Sequence, residues 1–129
     1  MGCPIFFECK DKNGILGLIT GSKEKLSECI GSKFEELDAA KAEGALEKHL
    51  PQAKVNSNLV TVTVGSVAHP MTEEHGIDWI YLETSQGSQL KKLKPGSEPQ
   101  AQFALAPDDK PIAAYAYCNL HGFWKTEIS

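Results

Sequence analysis

The chain is 129 residues long and 41% hydrophobic, enough for one ordinary domain, or one domain with a small appendage, with apolar side chains to fill a core. No stretch approaches the roughly 18 apolar residues that span a bilayer, and the opening "MGCPIFFECKDKNG" has neither the charged nor the apolar region of a secretory signal, so a cytoplasmic protein without a membrane partner is expected. A net charge of -4, with thirteen lysines and no arginine, argues against nucleic acid, because arginine is the usual bidentate reader of bases and phosphates.

In chain order, "IFFECK" and "GILGLITGS" are short apolar pieces punctuated by Gly and Lys, as in a small β unit that could hardly build a core alone. The texture changes near "KFEELDAAKAEG", residues 33–44. The longer stretch "KFEELDAAKAEGALEKH", residues 33–49, is rich in Glu, Ala, Lys and Leu and favours helix, but Gly44 interrupts it and the apolar positions are too sparse for a core-facing stripe. At most a short helical turn is expected. Next, "LVTVTVGS" alternates Val60, Val62 and Val64 with Thr61 and Thr63, and "IDWIYLET", "AQFALA" and "PIAAYAYC" follow between turns of Gly, Pro, Ser and Lys. Such strands predict an all-β antiparallel sandwich over residues 39–129, preceded by a small β domain over residues 1–38.

The histidines and cysteines carry the chemistry. Cysteines at positions 3, 9, 29 and 118 show no regular disulfide spacing, and thiols in a reducing compartment are more often free, metal-bound or catalytic. The four histidines are His49 in "LEKHLP", His69 and His75 in "VAHPMTEEHGIDW", and His121 in "CNLHGFWK". Any one of them alone is most simply a surface or hydrogen-bonded residue. Together they fall beside strand ends and turns, where loops at one end of a sandwich converge. A short connection after the valine strand would present His69 and His75 together, and Cys118 with His121 would form a second corner. Imidazoles with one thiolate make a site of intermediate softness, suited to iron, copper or zinc rather than magnesium or calcium, and five donors exceed a closed tetrahedral zinc site.

"GALEKHLP", "VGSVAHPMTEEHGIDWIYLET" and "AYAYCNLHGFWK" closely resemble, in order, the iron-binding domain of the superoxide reductases, the desulfoferrodoxin and neelaredoxin group, over residues 41–126. The resemblance implies an immunoglobulin-like β-sandwich holding one mononuclear non-haem iron, with His49, His69, His75 and His121 as equatorial nitrogens and Cys118 as the axial sulfur. It also implies backbone N–H groups of Leu120 and His121 directed at that sulfur. The implied activity is one-electron reduction of superoxide to hydrogen peroxide, without dioxygen, the electron being returned by an external donor such as rubredoxin. Lys48 matches the lysine that attracts the anion and organises proton delivery, and Glu47 matches the carboxylate that ligates the resting ferric centre.

Two-iron members of the group begin with a desulforedoxin-like unit that binds iron through four cysteines. Here "ECKDKNG" keeps Cys9 but has Lys12 at the second position, and "LSECIG" keeps Cys29 but has Glu28 before it. Cys3 leaves the count at three, so the one-iron type is expected, with a vestigial N-terminal domain, no rubredoxin-type centre there and homodimerisation, as in family members of this form. Lys91, Lys92, Lys94 and Lys125 would extend a positive rim for an acidic donor or form a solvated face. The Tyr-x-Cys-x-x-His ending also resembles blue-copper electron carriers, but the methionine these require downstream is absent.

Overall fold

In the computed structural model the described residues are 4–42, 44 and 46–128, without the side chain of Glu47. The chain divides into two compact units, Met1–Asp38 and Ala39–Ser129. In the first, strands β1 (Phe6–Cys9), β2 (Ile15–Gly17) and β3 (Phe34–Glu36) form an antiparallel sheet in the order β2-β1-β3, with Phe7 buried on β1. Between β2 and β3 the unit adds a helix that the strand-based expectation lacked, α1 (Lys23–Ile30). Its ends carry their own signals: Ser22 Oγ accepts from the Lys25 N–H at 3.2 Å, and Gly31 closes the other end with φ 70°. Leu26 and Ile30 are its apolar positions and neither is fully buried, so periodicity could not reveal it.

The second unit opens with a 3-10 turn, Ala39–Lys41, and a four-residue helix, α2 (Leu46–His49). The stretch with helical composition thus begins as strand β3, paired with β1, and only then yields two short helical pieces, since its few apolar residues give a longer helix nothing to bury. Seven strands follow: β4 (Pro51–Asn56), β5 (Leu59–Val64), β6 (Ile77–Thr84), β7 (Gly87–Lys92), β8 (Gln100–Ala104), β9 (Pro111–Cys118) and β10 (Gly122–Glu127). They form two antiparallel sheets, β10-β9-β6-β7 and β4-β5-β8, an all-β, immunoglobulin-like sandwich.

The core lies between the sheets and follows the alternation of the valine strand. Val60, Val62 and Val64 are fully buried, while Thr61 and Thr63 face outward and are half-buried. Ile80 and Leu82 from β6, Ala114 and Ala116 from β9, and Phe103 from β8 complete the cluster. The other face of the larger sheet carries an aromatic layer. Tyr81, Tyr115, Phe123, Trp79 and Tyr117 follow one another with ring centroids 5.4 to 5.9 Å apart, and Tyr115 Oη donates to Glu83 Oε1 at 3.1 Å. Central strand β9 is therefore buried on both faces from Ala113 to Cys118.

Candidate metal centre

Strand ends and loops at one end of the sandwich bring the histidines to Cys118. Cys118 is the last residue of β9 and is fully buried, and Gly122, with φ 90°, opens β10 directly opposite it. His121 hangs in the turn between them, and its backbone N–H donates to Cys118 Sγ at 3.4 Å. The Leu120 N–H also reaches that sulfur. Ile77, the first residue of β6, pairs with Cys118, so the loop before β6 is delivered beside the thiol, and a register shift before Trp79 leaves Asp78 as the extra residue.

The connection from β5 to β6 that carries both His69 and His75 spans residues 65–76. It begins at Gly65 with φ +84°, where a Cβ would lie 2.5 Å from the Val67 carbonyl oxygen and 2.7 Å from that of Lys48. Only glycine permits this approach, which folds the loop against the end of α2. The loop's far end is tied to the Cys118 turn by Asn119, a residue that sequence reasoning passed over. Its Oδ1 accepts from the Gly76 N–H at 3.0 Å, its Nδ2 donates to the Glu73 carbonyl at 2.9 Å, and its own N–H donates to the Gly76 carbonyl at 3.0 Å.

His49, His75, Cys118 and His121 each direct one ligand atom into a group whose atoms all lie within 4.8 Å of one another. His121 Nδ1 is 3.0 Å from His49 Nε2 and 4.0 Å from Cys118 Sγ. His69 stands beside this group, its ring centroid 4.7 Å from that of His49 and 4.8 Å from that of His75. His69 Nδ1 lies 2.6 Å from the Pro70 carbonyl oxygen, which can only accept, so Nδ1 carries the proton and Nε2 is bare. That Nε2 and the Nε2 of His75 are both buried without a hydrogen-bond partner.

The electrostatics keep His69 and His75 neutral, the form that ligates a metal. Burial lowers His69 to about 4 against the opposing Pro70 hydrogen bond, with smaller contributions from His49, His75 and His121. Burial also lowers His75, assisted by His121, His49 and Lys48. The Cys118 thiol is pushed up by burial, which outweighs the N–H groups of Leu120 and His121, while Asp78 adds to the rise. A thiolate there therefore needs a cation. Buried bare nitrogens, a thiol under N–H donors and a set of soft and borderline ligands fit a transition metal.

Of the remaining residues singled out by sequence, Lys48 is exposed next to the group, and the side chain of Glu47 lies outside the described residues, as does Cys3. Cys9 is half-buried in β1 and Cys29 is exposed on α1. Lys125 pairs with Glu127 at 2.8 Å and lies over the Tyr115 ring, and Lys91 lies over Phe103, so both are engaged within the sandwich.

Residues 41–127 match the Desulfoferrodoxin family. The chain belongs to that family. The desulfoferrodoxin of Nitratidesulfovibrio vulgaris is 46% identical over 99 residues, which cover 77% of each chain. Among solved structures, the superoxide reductase of Treponema pallidum superposes with a TM-score of 0.72 at 43% identity, covering 77% of this chain and 82% of that one. The superoxide reductase (1Fe-SOR) of Giardia intestinalis gives 0.55 at 37% identity, covering 64% of this chain and 98% of that one. Desulfoferrodoxins bind iron, which the His and Cys group fits, and as a member this chain is an oxidoreductase. The blue-copper reading is not favoured. Met71, the methionine near the site, instead accepts the Ile77 N–H on its sulfur at 3.3 Å.

Proposed function

We propose that this protein is a superoxide reductase, converting superoxide, one electron and two protons into hydrogen peroxide at one mononuclear iron held by His49, His69, His75, His121 and Cys118. The observation that carries the reading is the convergence of His49, His75, Cys118 and His121 in a desulfoferrodoxin. Those four donors alone match the count of a zinc site, and the bare, buried Nε2 of His69 beside them argues for five. When bound, the iron supplies the one-electron chemistry by cycling between its ferrous and ferric states.

The chain's own residues do the rest. Cys118 provides a thiolate whose charge is tempered by the N–H groups of Leu120 and His121. The Pro70 carbonyl holds the proton of His69 on Nδ1, keeping Nε2 as the ligating atom. His75 and His121 are half-buried where Cys118 and His49 are buried, so a small anion arrives on their side. Lys48 draws the anion in and orders water for proton delivery. Glu47 takes the family's carboxylate role in the resting state. An external electron donor of the rubredoxin kind returns the electron, and the chain works as a homodimer with residues 1–38 as a desulforedoxin-like unit short of two cysteines.

Metal analysis with a visible spectrum before and after mild oxidation tests the reading. One iron per chain, with a thiolate band appearing on oxidation, is the expected result. The variant Cys118→Ser loses both the band and most superoxide reduction, and retention of either removes Cys118 from the ligand set.

A further inference from the structure

We propose that Trp124 is a positioning residue for the centre, its indole forming the wall that sets the plane of the His49 ring. The inference rests on the reading of His49 as a metal ligand. The four rings are held in different ways. His121 hangs from a two-strand turn, and His69 is held through Nδ1 by Pro70. His75 sits in a turn closed by Thr72, whose Oγ1 accepts the His75 N–H at 3.0 Å. His49 is the last residue of α2 and meets the sandwich with the face of its ring.

Trp124 lies flat against it. The two ring centroids are 4.7 Å apart and their planes differ by 14°. The two nearer histidines meet His49 by their edges, His69 at 73° and His121 at 83°, while His75 lies farther off, at 6.3 Å and 29°. The indole is itself fixed. Trp124 is 4% exposed on β10 and pairs with Ala116 of β9, so it faces into the sandwich on the side of the core alanine. The ladder that ends at Cys118 therefore also carries this plate. Elsewhere the ring is bounded by Gly44, where a Cβ would lie 3.0 Å from His49 Cε1 and 3.2 Å from His121 Cγ. An imidazole donates along its own plane, so a wall parallel to the ring fixes the plane in which its lone pair lies.

A residue that merely filled space would affect folding stability and leave the metal alone. The test uses the full chain, with Trp124→Leu keeping apolar bulk without a plane and Trp124→Phe keeping a flat ring. The expected result is ferrous-iron affinity about tenfold or more weaker in W124L by competition with a chelator, with a displaced ferric–thiolate absorption band, and W124F close to the parent in both. Parent-like affinity and band in W124L, or a loss in W124F equal to that in W124L, overturns the proposal.

A second measurement does not depend on the leucine variant folding. The chain has two tryptophans, so Zn2+ titrations of W79F and W124F each report on one indole. Emission should change with binding in W79F and stay constant in W124F, and the reverse pattern overturns the assignment. A parent chain that binds neither ferrous iron nor Zn2+ overturns the metal-centre reading and this inference with it. Binding in the parent with unaffected Trp124 variants overturns this inference alone.

Discussion

At His69 the Pro70 carbonyl, 2.6 Å from Nδ1, selects the tautomer and leaves Nε2 bare in a buried place. Lys48 is exposed, yet its charge is among those lowering His75, so its field reaches the histidine group. If that field steers the anion, Lys48→Ala slows the second-order reaction with superoxide by about tenfold and flattens its salt dependence, while Lys48→Arg keeps the salt response. Stopped-flow or pulse-radiolysis rates at several ionic strengths measure this. A salt response unchanged in the alanine variant makes Lys48 an ordinary solvated residue.

At the scale of elements, the site is a junction between the β9–β10 turn and the loop over residues 65–76, and Asn119 joins them. Replacing Asn119 with Ala leaves the Gly76 N–H and the Glu73 carbonyl without their partners and costs about 1–3 kcal/mol, the usual penalty for orphaned polar groups. Because Gly76 adjoins His75, the same variant also weakens metal binding. Asn119→Asp keeps an acceptor for Gly76 and loses the donor to Glu73, so it falls between the two. Denaturant unfolding of the metal-free proteins, followed by chelator competition, gives both quantities. Full stability together with parent-like affinity in the alanine variant would show that the junction holds without Asn119.

The whole sandwich feels the metal through mass action, because the proposed ligands come from α2, the loop before β6, the end of β9 and the turn after it. Unfolding scatters them, so an ion that binds the folded chain stabilises every element at once. A free-ion concentration about a hundredfold above Kd contributes about 2.7 kcal/mol. Calorimetry should therefore show a melting temperature that rises with added ferrous iron and returns to its metal-free value with chelator. A melting temperature indifferent to both would place the ligands apart in solution. No helix among the described residues is long and apolar enough to cross a membrane.

By itself the sequence determined what each segment carries within its own length. The alternation of Val60, Val62 and Val64 and the apolar runs that became β6, β8 and β9 were legible because period-2 patterning is local, and the proposed ligands His49, His69, His75, Cys118 and His121 stood out through three family-like motifs in order. The strands that escaped notice, β3, β4, β7 and β10, are all at sheet edges. An edge has one neighbour and a more solvated surface, so β4 and β7 are mostly polar and show no clear period. Helix α1 escaped for a related reason, since it buries no residue and announces itself only through Ser22 and Gly31. Tertiary structure alone decided that Trp124 stacks on His49 and that Asn119 grips Gly76 and Glu73. Contacts between residues 43 to 75 positions apart leave no periodic trace in a chain, because they exist only once the two sheets have closed on a common core.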